Sequence, residues 1–307
     1  MTIVATDRPS SRAIPSKTTE HQARNVAPYS TRLSDYEFLQ LAGKGQFAEV
    51  WQVREKPTGR VVAFKQLLLQ WESHPTARQL LENEAEIGQQ IRSPYVVRVL
   101  GAQTETAPFY SLLEWLDGTS LEQLLEIQPQ FSERRAIWIA RQAAQGLLDL
   151  SEAGFSHGDV KPANICLLED GRLKLLDLGF ARPLQNTASE GGNEGKPASL
   201  TGTPEYLAPE ALTANPVDLV AKDIYSLGVL LYRMLAGRLP FQSESLPEIL
   251  RQQQRSVAAP LRSLAPHVTR ETIDLVERLL AKQPLRRGVR WQDVVRELVA
   301  RELAVLS

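Results

Sequence analysis

Between His157 and Gly179 the chain reads HGDVKPANICLLEDGRLKLLDLG, and this stretch holds the residue types best suited to chemistry. Asp159 and Asp177 bracket Asn164. Two short apolar runs, Ile165 to Leu168 and Leu173 to Leu176, are separated by Glu169, Asp170 and Gly171, a hairpin signal. A hairpin brings its ends together, so Asn164 is expected near Asp177, with Asp159 on the loop just before. Three oxygen-bearing side chains converging there suit a hard cation such as Mg²⁺. Asp159, set apart by a short loop, is left free to act on a hydroxyl. Lys161 can offer positive charge to a transferring phosphoryl group. The plainer alternative is a solvated loop with chance acids.

The elements that must position these residues begin at Tyr36. Phe38 to Leu41, Val50 to Val53 and Val61 to Phe64 read as three strands. Gly43, Lys44 and Gly45 are expected to link the first two, and Lys56 to Gly59 the second pair. Glycines in such a turn let backbone N–H groups approach a polyphosphate, although most such turns merely connect strands. The third strand ends on Lys65, which either snorkels or needs a partner. In the following helix Leu80, Ile87 and Ile91 form an apolar stripe. Glu84 falls on that same face, while Glu82 and Glu86 point to solvent. A carboxylate on a buried face demands a cation, and Lys65 is the candidate.

Val96 to Leu100 and Phe109 to Leu113 read as two more strands, followed by Glu114, Trp115 and Leu116. Ser132 and Glu133 open a long helix through Leu150, ending near Gly154. Ile224 to Leu235 is apolar almost all round and predicts a buried helix, with Asp223 near its start needing donors or a cation. Trp291, Val294, Val295 and Leu298 form an amphipathic stripe in a last helix. The tract Asn186 to Ser199 is poor in apolar residues, and residues 1 to 33 show no hydrophobic period. The latter composition predicts a flexible, mildly basic extension.

Composition bounds the function. At 307 residues, 43% hydrophobic and 23% charged, the chain is an ordinary globular one. A net charge of −1 gives no global field for nucleic acid. The single cysteine, Cys166, excludes an intrachain disulfide and is expected buried and inert. No apolar run approaches the roughly 20 residues a bilayer span needs, and no signal-peptide core opens the chain, so a cytoplasmic protein without a membrane anchor is expected.

The order Asp159, Lys161, Asn164, Asp177 resembles the catalytic loop and metal motif of the eukaryotic-like (Hanks-type) serine/threonine protein kinases. A second string, GTPEYLAPE from Gly202 to Glu210, resembles their substrate-docking loop and closing Ala-Pro-Glu. The resemblance runs over about residues 35 to 300. It implies an α+β fold of two lobes: a small antiparallel sheet with one helix (34–116) and a larger, mainly helical lobe (117–304). ATP and Mg²⁺ are expected between them, and proteins bearing Ser or Thr as the acceptors.

By the same resemblance Asp159 is the base, Lys161 and Asn164 complete the catalytic loop, and Asn164 and Asp177 hold the metals. Gly43, Lys44, Gly45 and Val50 cover the nucleotide, with Ala48 at the third glycine position. Lys65 holds the phosphates and is fixed by Glu84. The backbone of Glu114 and Leu116 receives adenine, with Leu113 as gatekeeper. Asp223 ties its helix to the catalytic loop, Thr203 supports Asp159, and Arg287 pairs with Glu210. In relatives the back face of the small lobe can bind a partner, which leaves a homodimer open.

Two departures stand out. Gly158 replaces the Arg that receives an activation-segment phosphate, so strict control by phosphate at Thr187, Ser189, Ser199 or Thr201 is not expected. Leu178 replaces the usual Phe. His157-Gly158-Asp159 also resembles the small-molecule kinases acting on antibiotics or choline, but those do not predict Gly202 to Glu210, Asp223 or Arg287. A pseudokinase scaffold is disfavoured by the intact catalytic residues.

Overall fold

Side chains alternate along the strand that carries Lys65. Val62 and Phe64 join an aromatic cluster on one face of the sheet, whereas Ala63 and Lys65 face a cleft on the other. The period of two thus decides which face carries the chemistry. The computed structural model describes residues 29, 32–184, 202–213, 218–288 and 290–306. The expected N-terminal extension, apart from its last few residues, lies outside them. So does the tract holding Thr187, Ser189, Ser199 and Thr201.

The small lobe is a five-stranded antiparallel sheet with one long helix. In chain order it comprises β1 (Tyr36–Lys44), β2 (Ala48–Glu55), β3 (Val61–Leu67), α1 (Pro75–Gln90), β4 (Val99–Gln103) and β5 (Tyr110–Glu114). The spatial order is β1-β2-β3-β5-β4. Gly43 and Lys44 are not a linker: they belong to β1 and pair with Val50 and Glu49, so the turn is shorter than expected. Pro75 opens α1, where a missing N–H costs nothing. The buried stripe of α1 is Ala77, Leu81, Glu84, Ala85, Ile87 and Gly88. Leu80 stands one position off it and lines the cleft instead, and Glu82 is half-buried. Val96 precedes β4 and makes an isolated parallel bridge to Leu175, so that strand starts later than the apolar run.

The larger lobe begins with β6 (Gly118–Ser120), α2 (Leu121–Ile127) and α3 (Glu133–Glu152). Ser120 and Gln123 form a capping box, and Ser132 caps α3 through the Arg135 N–H. Then come β7 (Phe155–Ser156), the hairpin β8 (Ile165–Leu168) and β9 (Leu173–Leu175), and β10 (Arg182–Pro183). Helices α4 (Leu219–Ala236), α5 (Leu246–Arg255), α6 (Leu261–Leu264), α7 (Arg270–Leu279) and α8 (Trp291–Ala304) complete it. Helix α4 is buried on almost every side, between α3 and α7, as its apolar composition requires. Asp218, not Asp223, caps it by accepting from the Ala221 N–H. Asp223 lies a turn further in. Trp291, Val294 and Leu298 dock α8 on the lobe.

Candidate active site

The hairpin β8–β9 closes the cleft from below and the small sheet covers it from above. The cavity has a volume of about 670 Å³ and is lined by Gly43, Lys44, Gly45, Val50, Lys65, Glu84, Glu114, Leu116, Asn164 and Asp177. Ala63, Leu113, Cys166 and Leu176 add apolar wall. An apolar slot with charged groups at one end suits a flat base joined to an anionic tail.

Lys65 sits at that charged end. Its Nζ donates to Glu84 Oε1 at 2.9 Å and to Asp177 Oδ1 at 3.1 Å. Glu84 is fully buried and accepts a second bond from the Ser111 hydroxyl at 2.9 Å. Burial pushes the Glu84 carboxyl above the usual carboxylate range, against the pull of Lys65 and the Ser111 bond. Burial disfavours the Lys65 ammonium, yet Asp177 and Glu84 outweigh it and raise its pKa. Burial also opposes ionisation of Asp177. Its side chain is still 36% exposed, and the Lys65 charge with the Gly179 N–H holds it below the usual range. Asn83 Nδ2 donates to the Gly179 carbonyl at 3.1 Å, tying α1 to the same loop.

Asp159 is 4% exposed and is not the free carboxylate its loop position suggests. Oδ1 accepts from the Thr203 N–H at 3.0 Å and the Thr203 hydroxyl at 2.9 Å. Oδ2 accepts from Asn164 Nδ2 at 3.0 Å and pairs with Lys161 Nζ at 2.7 Å. Lys161 Nζ also reaches the Thr203 hydroxyl oxygen at 2.7 Å. The catalytic loop and the Gly-Thr-Pro-Glu string therefore meet on one carboxylate.

The backbone behind Asp159 is held from α4. The N–H groups of His157 and Gly158 donate to the two oxygens of Asp223 at 2.7 and 2.9 Å. Burial raises the Asp223 pKa, and those two N–H bonds counter it. The Asp159 N–H points at His157 Nδ1, so Nε2 carries the ring proton and donates to the Leu176 carbonyl at 3.0 Å. That bond joins the catalytic loop to the residue before Asp177.

Glu114 turns its side chain away from the cleft. Its Oε1 accepts from the Arg98 N–H at 2.8 Å and pairs with Lys174 Nζ at 2.5 Å. Sequence reasoning misses Lys174, although a lysine inside the apolar strand Leu173–Leu175 carries the same signal as Lys65. At the far end of the lobe, Arg287 is fully buried. All five of its N–H groups are used: two bonds on Glu210 at 2.5 and 2.8 Å, and the carbonyls of Ala281, Ala221 and Lys282 at 2.6 to 3.1 Å.

No three His, Cys, Asp or Glu cluster to hold a metal among the described residues. Asp177 and Asn164 nevertheless fit Mg²⁺. Asn164 turns its Nδ2 to Asp159, so its Oδ1 is the atom it can offer a cation. Mg²⁺ commonly takes one or two protein oxygens and completes its shell with substrate phosphate and water.

A two-lobed α+β fold with a Lys–Glu pair, a glycine turn and this carboxylate loop around one cleft defines the protein kinases, and the chain belongs to that family. The sequence profile of the protein kinase domain matches residues 36–297. Among similar proteins, the serine/threonine-protein kinase PknB of Mycolicibacterium smegmatis is 34% identical over 257 residues, covering 82% of this chain and 40% of the relative. PknB of Mycobacterium tuberculosis is 31% identical over 259 residues, covering 83% and 41%. An Aurora kinase of Yarrowia lipolytica is 31% identical over 255 residues, covering 83% and 66%. The chain thus spans about two fifths of the length of the mycobacterial relatives.

Proposed function

We propose that the chain is an ATP-dependent serine/threonine protein kinase, with residues 34–304 as the kinase unit and its lobes dividing at 116/117. The observation that carries the reading is Lys161 Nζ bridging Asp159 and Thr203 at 2.7 Å each, which joins the catalytic loop to the loop that would dock a protein acceptor. The serine/threonine kinases named above support the acceptor class.

ATP enters with adenine against Leu113 and the backbone of Glu114 and Leu116, under Val50 and the turn after Gly43. Lys65 holds the phosphates, and Glu84 keeps its ammonium in place. Asn164 and Asp177 would hold Mg²⁺, which when bound neutralises phosphate charge and aligns the β- and γ-phosphates. Asp159 orients the acceptor hydroxyl and takes its proton. Asn164 and Thr203 keep three of the bonds to its carboxylate while Lys161 swings toward the moving phosphoryl group. Positioning and charge then supply most of the rate. A reaction that consumes ATP fits the cytoplasm.

The second reading suggested by His157-Gly158-Asp159, a small-molecule kinase, does not account for Thr203 on Asp159, Asp223 behind the loop or the Arg287–Glu210 pair. The test is incubation of purified protein with labelled ATP, Mg²⁺ and dephosphorylated casein, then phosphoamino-acid analysis. Phosphoserine and phosphothreonine are expected. Phosphotyrosine alone, or transfer only to a small alcohol, would overturn the proposal.

A further inference from the structure

Gln253 lies in the last turn of α5 and is fully buried, although no bond of the cleft involves it. Both ends of its amide are bonded. Nε2 donates to the Glu205 carbonyl at 2.6 Å and to the Pro204 carbonyl at 3.3 Å. Oε1 accepts from the Tyr225 hydroxyl at 2.5 Å. The next carbonyl along, Tyr206, accepts from the Ser226 hydroxyl at 2.8 Å. Three successive carbonyls of the Gly-Thr-Pro-Glu-Tyr string are thus turned into the large lobe and taken by side chains of α5 and α4.

Lys282 braces Gln253. Its Nζ donates to the Gln253 carbonyl at 2.7 Å and to the Tyr225 hydroxyl at 3.2 Å, and it sits 4.2 Å above the Phe241 ring. The amide has one orientation, because flipping it would set acceptor against acceptor at the loop carbonyls. Its removal takes the Gln253 donor from the Glu205 carbonyl and leaves the Pro204 carbonyl only the Leu207 N–H at 3.3 Å, and a polar group left without its partner is the costly way to lose a hydrogen bond. The loop held this way begins one residue after Thr203, whose N–H and hydroxyl both bind Asp159.

We infer that Gln253 is a positioning residue for the protein acceptor: it fixes the register of the loop Thr203 to Tyr206 against Asp159, and Lys282 acts through it. The inference rests on the kinase reading, in which that loop docks the acceptor. An acceptor bound to a displaced loop would present its hydroxyl away from Asp159. The nucleotide end, built on Lys65, Glu84 and Asp177, shares no bond with Gln253.

The variants are Gln253→Met, which keeps the volume and loses the amide, Lys282→Met, and the pair together. Steady-state rates are measured against dephosphorylated casein and against ATP, alongside hydrogen exchange read by mass spectrometry. For Gln253→Met the casein KM should rise at least tenfold while the ATP KM stays within twofold. Exchange in the segment 203–207 should quicken at least tenfold while that of 165–175 is unchanged. Lys282→Met should move both readouts the same way by less, and the double variant should match Gln253→Met within twofold, because the two act as one unit. An unchanged casein KM, an equal rise in both KM values, or unchanged exchange in 203–207 would overturn the inference. If Gln253→Met does not fold, the same readouts on Lys282→Met decide the matter in the same way. A wild type that binds ATP but transfers phosphate to no protein sinks the kinase reading and this inference with it. An active wild type with an unimpaired Gln253→Met sinks the inference alone.

Discussion

A Cβ built on Gly158 would stand 2.3 Å from the carbonyl oxygen of Phe180. Gly158 also has φ +81°, in the left-handed region, while its N–H is held by Asp223. The glycine at position 158 is therefore more than a missing side chain. The catalytic loop and the segment after Asp177 approach each other through the space a side chain would need. Gly158→Ala should lower stability by at least the roughly 1–2 kcal/mol that a left-handed φ costs an L-residue, before the overlap with Phe180 is counted. Gly158→Arg should not install phosphate control. It should push Phe180 away, disturb Asp177 and cut the phosphorylation rate at least tenfold. Thermal melting and initial rates check this, and an Arg variant as active and stable as wild type would refute it.

Asp159→Asn should lower turnover by about 10²–10⁴, the usual worth of a positioned base, with ATP affinity by calorimetry close to normal. The amide keeps one acceptor oxygen for Thr203 or Lys161, so the fold should survive. Lys65→Ala should weaken ATP use instead, and it leaves Glu84 buried beside Ser111 without its cation. The reverse pattern would mean the two roles are misassigned.

Arg287→Ala removes five bonds at a fully buried site and strands Glu210, whose side chain is only 12% exposed. Breaking one partner of such a pair typically costs about 3–5 kcal/mol. Arg287→Lys should recover little of it, because an ammonium has three donors and no fork to match the carboxylate. Chemical denaturation of the three proteins gives the answer. An Arg287→Lys variant as stable as wild type would show that charge alone, without the fork, holds the site.

Burial pushes the Cys166 thiol up to about 11 from 9.0. The folded protein therefore keeps it protonated where the unfolded chain ionises it. As pH rises from 9 toward 11 the unfolded state loses the proton first, so the thiol's contribution to stability is lost across that window. Native protein at pH 8.5 should alkylate with iodoacetamide at least tenfold more slowly than denatured protein. Saturating ATP should slow it further, since Cys166 lines the cleft. Fast native labelling indifferent to ATP would contradict the burial and the siting together.

Much of the site is encoded locally. Lys65 in an apolar strand, which runs on to Leu67 and does not end at the lysine as expected, and Glu84 on the buried face of the next helix, are legible because periods of 2 and 3.6 decide which side chains share a face. The turn at Glu169 to Gly171 makes Asn164 and Asp177 neighbours for the same reason, since a short hairpin leaves its ends nowhere else to go. The buried helix around Tyr225 is written in a run that is apolar almost all round. Where only neighbouring packing sets the limit, the sequence is a residue off: Leu80 and Leu81 are 100° apart on α1, and the sheet beside them chose Leu81 for the core.

Tertiary structure alone decided which polar groups meet. Thr203 binds Asp159 Oδ1 twice from 44 residues away, Lys174 finds Glu114 across 60, and Gln253 takes the Glu205 carbonyl across 48. Lys174 signals by its apolar strand that it needs a partner, whereas Thr203 and Gln253 have ordinary local settings, and nothing in a period or a turn names the partner of any of the three. The physical reason is that burial forces a polar group to find a donor or acceptor without saying which one. The choice belongs to the packing of α4 and α5 and of the two lobes, and so does the close approach at Phe180 that requires glycine at position 158.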